Sequence, residues 1–250
     1  MKKHIVFITD CVDIAYNELR AITISELNKL NPEDEIVIEP VVKVKPFSVI
    51  NGSFVLRLMA ESYPDNTIFS IILNPLQSRP ERLIGKTTKK NFSFAGANTG
   101  LFNWFLNDFG ISELYELKDP GFLPFGGKYV HAPAVAKIAS GVPLEELGTI
   151  FNRNKLRDLN LETGTVVHVD NFGLIKFTGI LPQLEDEEKV EILVNDQKLD
   201  VVYSTRMMNR ETGEWVIYPG SSMGLPELGK VRQNGAMSLK IKEGDIIKFI

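Results

Sequence analysis

The stretch H-I-V-F-I-T-D (4–10), followed by D-I-A-Y-N-E-L-R-A-I-T-I-S-E-L-N-K-L (13–30), decides the fold. The first run is short, apolar and β-type. The second sets Ile14, Leu19, Ile22, Leu27 and Leu30 at helical spacing. A strand that turns at Thr9-Asp10-Cys11 into an amphipathic helix opens an α/β layer, and the pattern repeats downstream. E-I-V-I-E-P-V (35–41) reads as a strand, Val49–Tyr63 as a helix and T-I-F-S-I-I-L (67–73) as a buried strand. N-F-S-F-A-G (91–96) is a further strand, and Leu101–Phe109 and Pro133–Ala139 are short helices, the second with proline in its first turn. The alternation predicts a three-layer α/β domain with a mostly parallel sheet over residues 1–152.

Past residue 150 the texture changes. T-V-V-H-V-D (165–170), G-L-I-K-F-T-G-I-L (173–181), K-V-E-I-L-V (189–194), L-D-V-V-Y-S (199–204) and E-W-V-I-Y (214–218) are short strands, as are M-S-L-K-I (237–241) and D-I-I-K-F-I (245–250). Close-set strands without helices predict a smaller all-β barrel domain over 158–250. The polar N-R-N-K-L-R-D (152–158) marks the junction.

The 250 residues are 44% hydrophobic and 24% charged, enough for a substantial core. A net charge of −4 gives no general attraction to nucleic acid or anionic membranes. Cys11 is the single cysteine, so no intrachain disulfide can form. The apolar run after Met1-Lys2-Lys3-His4 is too short for a signal peptide, and no stretch approaches a membrane span. The expectation is a cytoplasmic protein with neither nucleic-acid nor membrane partners.

Motifs of common chemistries fail on their spacing. Gly85-Lys86-Thr87 would end a phosphate loop only with glycine at 80, which is proline; Gly127-Lys128 has Phe122 and Tyr129 at the other required positions. His4, His131 and His168 share no metal-ligand spacing with one another or with Cys11. No G-x-S-x-G elbow occurs, and Ser221-Ser222 has no His/Asp pattern nearby. Asp10 is more informative. At the end of the first strand its carboxylate could accept the two hydroxyls of a ribose, or cap the following helix, and the two readings stand level. I-I-L-N-P-L-Q-S-R-P-E-R (71–82) likewise presents a polar loop with two arginines where a buried strand stops.

These pieces, in this order, resemble the S-adenosylmethionine (SAM) hydroxide adenosyltransferase family, the SAM hydrolases and their fluorinase and chlorinase relatives. F-I-T-D (7–10) resembles the opening I-T-D-F-G, and D-I-A-Y-N-E-L-R-A (13–21) the D-P-Y-V-G-x-M-K-G that follows. Pro46-Phe47-Ser48-Val49 resembles P-x-D-V, and Ala97-Asn98-Thr99-Gly100-Leu101 resembles P-D-N-G-L. Gly126 to Pro133 fits the frame of H-G-R-D-I-F-A-P, and Leu144-Glu145-Glu146-Leu147-Gly148 closes the domain as the family does. In the second half Asp170-Asn171-Phe172-Gly173 resembles D-x-F-G-N, and Ser222 to Leu228 resembles S-x-G-Y-L-E-I.

The resemblance implies a homotrimer whose sites lie between the N-terminal domain of one subunit and the C-terminal domain of the next. SAM is the expected substrate or ligand, with no further cofactor. By motif position Asp10 would accept the ribose hydroxyls and Phe47 would lie against adenine. Asp170 would receive the methionine ammonium and Ser222 would face its carboxylate, with Asn98 and Phe172 completing the substrate-binding set. The family reaction is attack of water on C5′, and the hydrolases activate that water with an Asp–Arg–His set. Here Asn74 replaces the Asp and Gly126 the His, while Arg82, rather than Arg79, is assigned the Arg. Leu174 replaces the Asn after Phe-Gly, and Lys128-Tyr129 replaces Arg-Asp. His131 falls on an apolar Phe position and reads as facing core or interface. The implied function is a slow, adenosine-forming SAM hydrolase with Asn74 and Arg82 at the catalytic position; the alternative is a non-catalytic adenosyl- or nucleoside-binding descendant.

Overall fold

The computed structural model describes residues 2–73, 80–118, 121 and 123–250, so Asn74 and Arg79 lie outside the described residues. The chain divides into two compact units, Met1–Leu159 and Asn160–Ile250.

In the first unit, β1 (Lys2–Thr9) turns into α1 (Ile14–Leu30), then come β2 (Glu35–Ile38), β3 (Val42–Lys43), α2 (Val49–Ser62) and β4 (Ile68–Ile72). There follow β5 (Arg82–Lys86), β6 (Ser93–Ala97), α3 (Asn103–Phe109) and β7 (Glu113–Leu117). A π-helical turn (Gly127–His131) leads into α4 (Ala132–Ala139), then α5 (Leu144–Leu147) and β8 (Gly148–Ile150).

These strands form one sheet in the order β2-β1-β4-β6-β5-β7-β8, with β3 also beside β1. Side chains of β1 and β4 alternate between two cores. Ile5, Phe7, Ile68 and Ile72 meet Leu19 and Leu27 of α1 and Val135 and Ile138 of α4. Phe69 turns to the opposite face, where rings of α3 pack: Phe69–Phe105 at 5.9 Å between centroids and Phe92–Phe109 at 5.2 Å. Helices on both faces of a sheet make the three layers.

The sheet is mixed, which corrects the expectation of a mostly parallel one. β2, β3, β4 and β6 run parallel along the β1 side, but β5 pairs antiparallel with both β6 and β7, and β7 antiparallel with β8. The connection from β5 to β6 spans only residues 87–92. A parallel pairing needs a crossover of about a dozen residues or more, so this link permits only a hairpin.

The second unit comprises β9 (Val166–Val169), β10 (Ile175–Phe177), β11 (Lys189–Val194), β12 (Gln197–Tyr203), β13 (Trp215–Pro219), β14 (Pro226–Lys230), α6 (Gly235–Leu239) and β15 (Ile247–Phe249). The sheet order is β15-β11-β12-β13-β14-β10-β9, antiparallel throughout except for β12 with β13. It curls around a core of Val166, Ile175, Val201, Ile217 and Leu228. Its edges meet where Ile247 N–H donates to the Gly164 carbonyl at 2.9 Å and Val166 N–H to that of Asp245 at 2.8 Å. A Cβ at Gly164 would fall 2.0 Å from the Ile247 carbonyl oxygen, so that join requires glycine.

The unit is not all-β. Residues 237–241, expected as a strand, lie largely in α6, because Asn234 caps it by accepting the Met237 N–H at 2.9 Å. Among the described residues no helix is long and apolar enough to cross a membrane.

Candidate functional site

Asp13, not Asp10, caps α1: its carboxylate accepts the Ala15 N–H at 3.0 Å. Asp10 instead reaches across the end of β1 to the loop before α2, where Oδ2 accepts the Phe47 N–H at 2.9 Å. Phe47 has φ +61° and its ring is 45% exposed. A left-handed backbone costs a non-glycine residue about 1 kcal/mol, and the hydrogen bond that Phe47 donates to Asp10 offsets that cost. Ser48 caps α2 by accepting the Asn51 N–H, and the buried Asn51 side chain accepts the Lys45 N–H at 2.9 Å. Short bonds therefore clamp the loop at both ends, so an acid and an exposed aromatic stand together at the carboxyl edge of the sheet. Cys11 lies beside them with its thiol pushed up by burial and by Asp10 and Asp13, so it rests as a thiol.

Arg82 opens β5 and meets the π-helical turn. A Cβ placed on Gly126 would sit 2.6 Å from its Nη2 and 3.2 Å from Cζ. The guanidinium thus occupies the volume into which any side chain at 126 would project. His131, at the end of the same turn, is 6% exposed, and its Nδ1 has no hydrogen-bond partner among the described residues. Burial, aided by the charge of Arg82, lowers its pKa to about 4, so it is neutral near pH 7. Lys128 holds the turn to α1 through Glu18 at 2.5 Å.

Asn98 follows β6 and is 2% exposed. Its amide nitrogen donates to Glu81 Oε2 at 3.1 Å and to the Lys155 carbonyl at 3.0 Å, and its oxygen accepts the Arg157 N–H at 2.9 Å. Both amide hydrogens are therefore spent, one on Glu81 just before β5 and one on the segment that closes the first unit, beside a cavity of about 290 Å³.

In the second unit Asp170 folds back on its own loop. Oδ1 accepts the backbone N–H groups of Phe172 at 3.0 Å and Leu174 at 2.9 Å, while the Phe172 ring stays 71% exposed. Leu174 packs over Gly229 of β14. Asp170 Oδ2 lies 3.5 Å from Lys176 Nζ, which in turn lies 3.4 Å from Glu227 Oε1. Register explains the grouping: Lys176 pairs with Glu227 across β10 and β14, and Glu227 with Tyr218 across β14 and β13. Their neighbours Ile175, Leu228 and Ile217 fill the core, so this polar row occupies the other face. The Tyr218 hydroxyl donates to Glu227 Oε2 at 3.1 Å, and burial with the nearby carboxylates raises its pKa well above the ordinary range. Ser222 is 8% exposed in the β13–β14 turn, where its carbonyl accepts the Leu225 N–H.

Within each unit, then, the expected residues fall into small groups: Asp10 with Phe47, Arg82 with Gly126, and Asp170 with Phe172. Asn98 serves a different group, and Asn74 lies outside the described residues. Reading by motif missed Lys176, Glu227 and Tyr218. A lysine between Ile175 and Phe177 in an apolar strand was the available sign. Among the described residues no group of three or more His, Cys, Asp or Glu side chains could hold a metal ion.

Fold and site together define an α/β unit with an acid and an aromatic at its sheet edge, joined in sequence to a curled β unit. Residues 5–148 match the SAM hydroxide adenosyltransferase N-terminal domain, and the chain belongs to that family. It is 27% identical over 154 residues to an (R)-S-adenosyl-L-methionine hydrolase of Methanocaldococcus jannaschii, a match covering 60% of this chain and 56% of that protein. The chain thus spans little more than half the length of this relative. Two solved structures share the fold. One is an uncharacterized conserved protein from Thermotoga maritima (TM-score 0.82, 23% identity, 98% of this chain and 100% of that one). The other is a conserved hypothetical protein from Thermus thermophilus (0.78, 20%, 99% and 100%).

Proposed function

We propose that this protein is a slow SAM hydrolase. Water attacks C5′ of the ribose, the C5′–S bond breaks with its electron pair passing to sulfur, and neutral methionine leaves while the attacking water gives up its proton to bulk solvent. The observation that carries this reading is Asp10 clamping the exposed Phe47 at the end of β1, inside the segment that matches the family. A carboxylate at the position of Asp10 suits a ribose diol, and the Phe47 ring offers a face to adenine. Asp170, Ser222, Phe172 and, through the loop it ties, Asn98 complete the proposed substrate-binding set, within a homotrimer. Arg82 contributes charge near the proposed reaction centre. Asn74 orients water by hydrogen bonding but takes up no proton, and the loss of a general base commonly costs about 10²–10⁴ in rate.

A second reading, a non-catalytic adenosyl- or nucleoside-binding protein, is favoured by one observation. The Arg82 guanidinium fills the space beside Gly126 in which the family histidine would stand. Incubation with SAM followed by chromatography distinguishes the two. Adenosine above a protein-free control, lost in Asp10→Ala, supports hydrolysis, and calorimetry should then show binding weakened about ten- to hundredfold by that substitution. Saturable binding without adenosine supports the second reading, and absence of both overturns both.

A further inference from the structure

The cavity beside Asn98 belongs wholly to the first unit, and neither Asp10 nor Phe47 is among the described residues that line it. Its walls come from the turn after β6, from α3 and from residues 153–158, and bonds already in place hold them. Asn98 grips the Lys155 carbonyl and the Arg157 N–H, and Arg153 donates from Nη2 to the Ser112 carbonyl at 3.1 Å. Gly100, at φ +90°, lets the Asp158 carbonyl approach so closely that a Cβ would fall 2.8 Å from its oxygen. A site fixed in advance loses little entropy when it is filled. At about 290 Å³ it takes a molecule of roughly amino-acid size.

The lining narrows the occupant. Phe102 and Leu106 give it an apolar surface. Arg153 and Arg157 bring two guanidinium groups against one carboxylate among the described lining residues, that of Asp158, which already accepts Asn103 Nδ2 at 2.9 Å. Glu81 is bonded to Asn98 but is not one of the described lining residues. The excess of positive charge favours an anion, and the planar guanidinium favours a carboxylate or a phosphate. Asn103 decides between them. With its Nδ2 spent on Asp158, its Oδ1 is buried without a hydrogen-bond partner, an acceptor that a ligand's donor would satisfy. A phosphate dianion has no donor to offer, whereas a carboxylate flanked by an N–H or O–H group has one. We propose that this cavity is a second binding site, apart from the Asp10–Phe47 pair and independent of the adenosyl reading. Its ligand is a small 2-amino or 2-hydroxy acid with an apolar side chain, its carboxylate on Arg157 and Arg153 and its donor on Asn103.

Saturation-transfer NMR titrations of the intact chain test this with L-leucine, with its 2-hydroxy counterpart, and with L-leucinamide, which keeps the side chain but lacks the carboxylate. At least one of the two acids should bind with a dissociation constant of about 5 mM or tighter, and leucinamide about tenfold more weakly than that acid. The tighter acid shows whether the donor is an ammonium or a hydroxyl. Arg157→Gln, whose backbone N–H still reaches Asn98, should weaken that acid about tenfold and leave leucinamide within about threefold. Should that variant fail to fold, Arg153→Gln gives the same reading. Absence of binding by either acid at about 20 mM overturns the proposal, and so does leucinamide binding as tightly as the acids. Acid binding unchanged in both arginine variants also overturns it, because the acid would then sit elsewhere, the proposed methionine subsite included.

Discussion

His131 shows how surroundings set the character of a side chain. The fold treats it as it would an apolar ring: it is 6% exposed, its Nδ1 has no hydrogen-bond partner among the described residues, and a guanidinium lies nearby. Its pKa of about 4 in the folded chain lies below the ordinary 6.5 of the unfolded one, so the unfolded state takes up the proton first. Stability is therefore full above pH 6.5, falls as pH drops toward 4 and levels off below. At about 1.4 kcal/mol per pH unit, the loss across that window is roughly 3 kcal/mol. Denaturant titrations of native protein and His131→Phe at about pH 7.5, 5.5 and 4.5 check this. The native chain should lose more stability than the variant between the first and last pH. Parallel losses would show that His131 already carries its proton in the fold or keeps an ordinary pKa. Arg82 belongs to the same account, since it both disfavours the imidazolium and fills the hollow beside Gly126.

Elements reveal what a linear reading reaches and what it does not. α1 and β4 were legible because burial imposes a period on their own residues, and Asp13 capped the helix where a short polar side chain must. The antiparallel β5 and β7 were not, because pairing direction depends on connection length and on neighbours distant in sequence. Residues 237–241 alternate as a strand would, yet the Asn234 cap and one helical turn prevailed. At the site, Asp10 and Phe47 could be nominated by motif, but their direct bond spans 37 positions and the Lys176–Glu227–Tyr218 row exists only through register. Asn98 differs again: motif named it, and the structure shows its amide fully engaged in tying β6 to Glu81, Lys155 and Arg157. Asn98→Ala should therefore destabilise the first unit by about 2–4 kcal/mol, since three hydrogen bonds and a buried contact vanish together. Urea unfolding followed by Trp104 fluorescence would measure it, and a loss below about 0.5 kcal/mol would mean that solvent replaces those bonds without cost.

At the scale of the whole molecule, the two units have cores of their own, which implies two thermodynamic units. Ile5, Leu19 and Val135 belong to one core and Val166, Ile217 and Leu228 to the other. The chain has two tryptophans, and each unit holds one: Trp104 packs edge-on against Phe54 in the first, and Trp215 lies under Lys230 in the second. A shorter segment buries a smaller fraction of its surface, so the second unit should unfold first. Trp104→Phe and Trp215→Phe variants each report the unit whose tryptophan remains, and the Trp215 signal should change at lower urea. Coincident curves would mean that the chain unfolds as a single cooperative body. The same pair of reporters divides the functional proposals. A ligand held through Asp10 and Phe47 alone raises only the Trp104 transition, by about 2.7 kcal/mol at one hundred times its dissociation constant. A ligand that also engages Asp170 and Ser222 raises both.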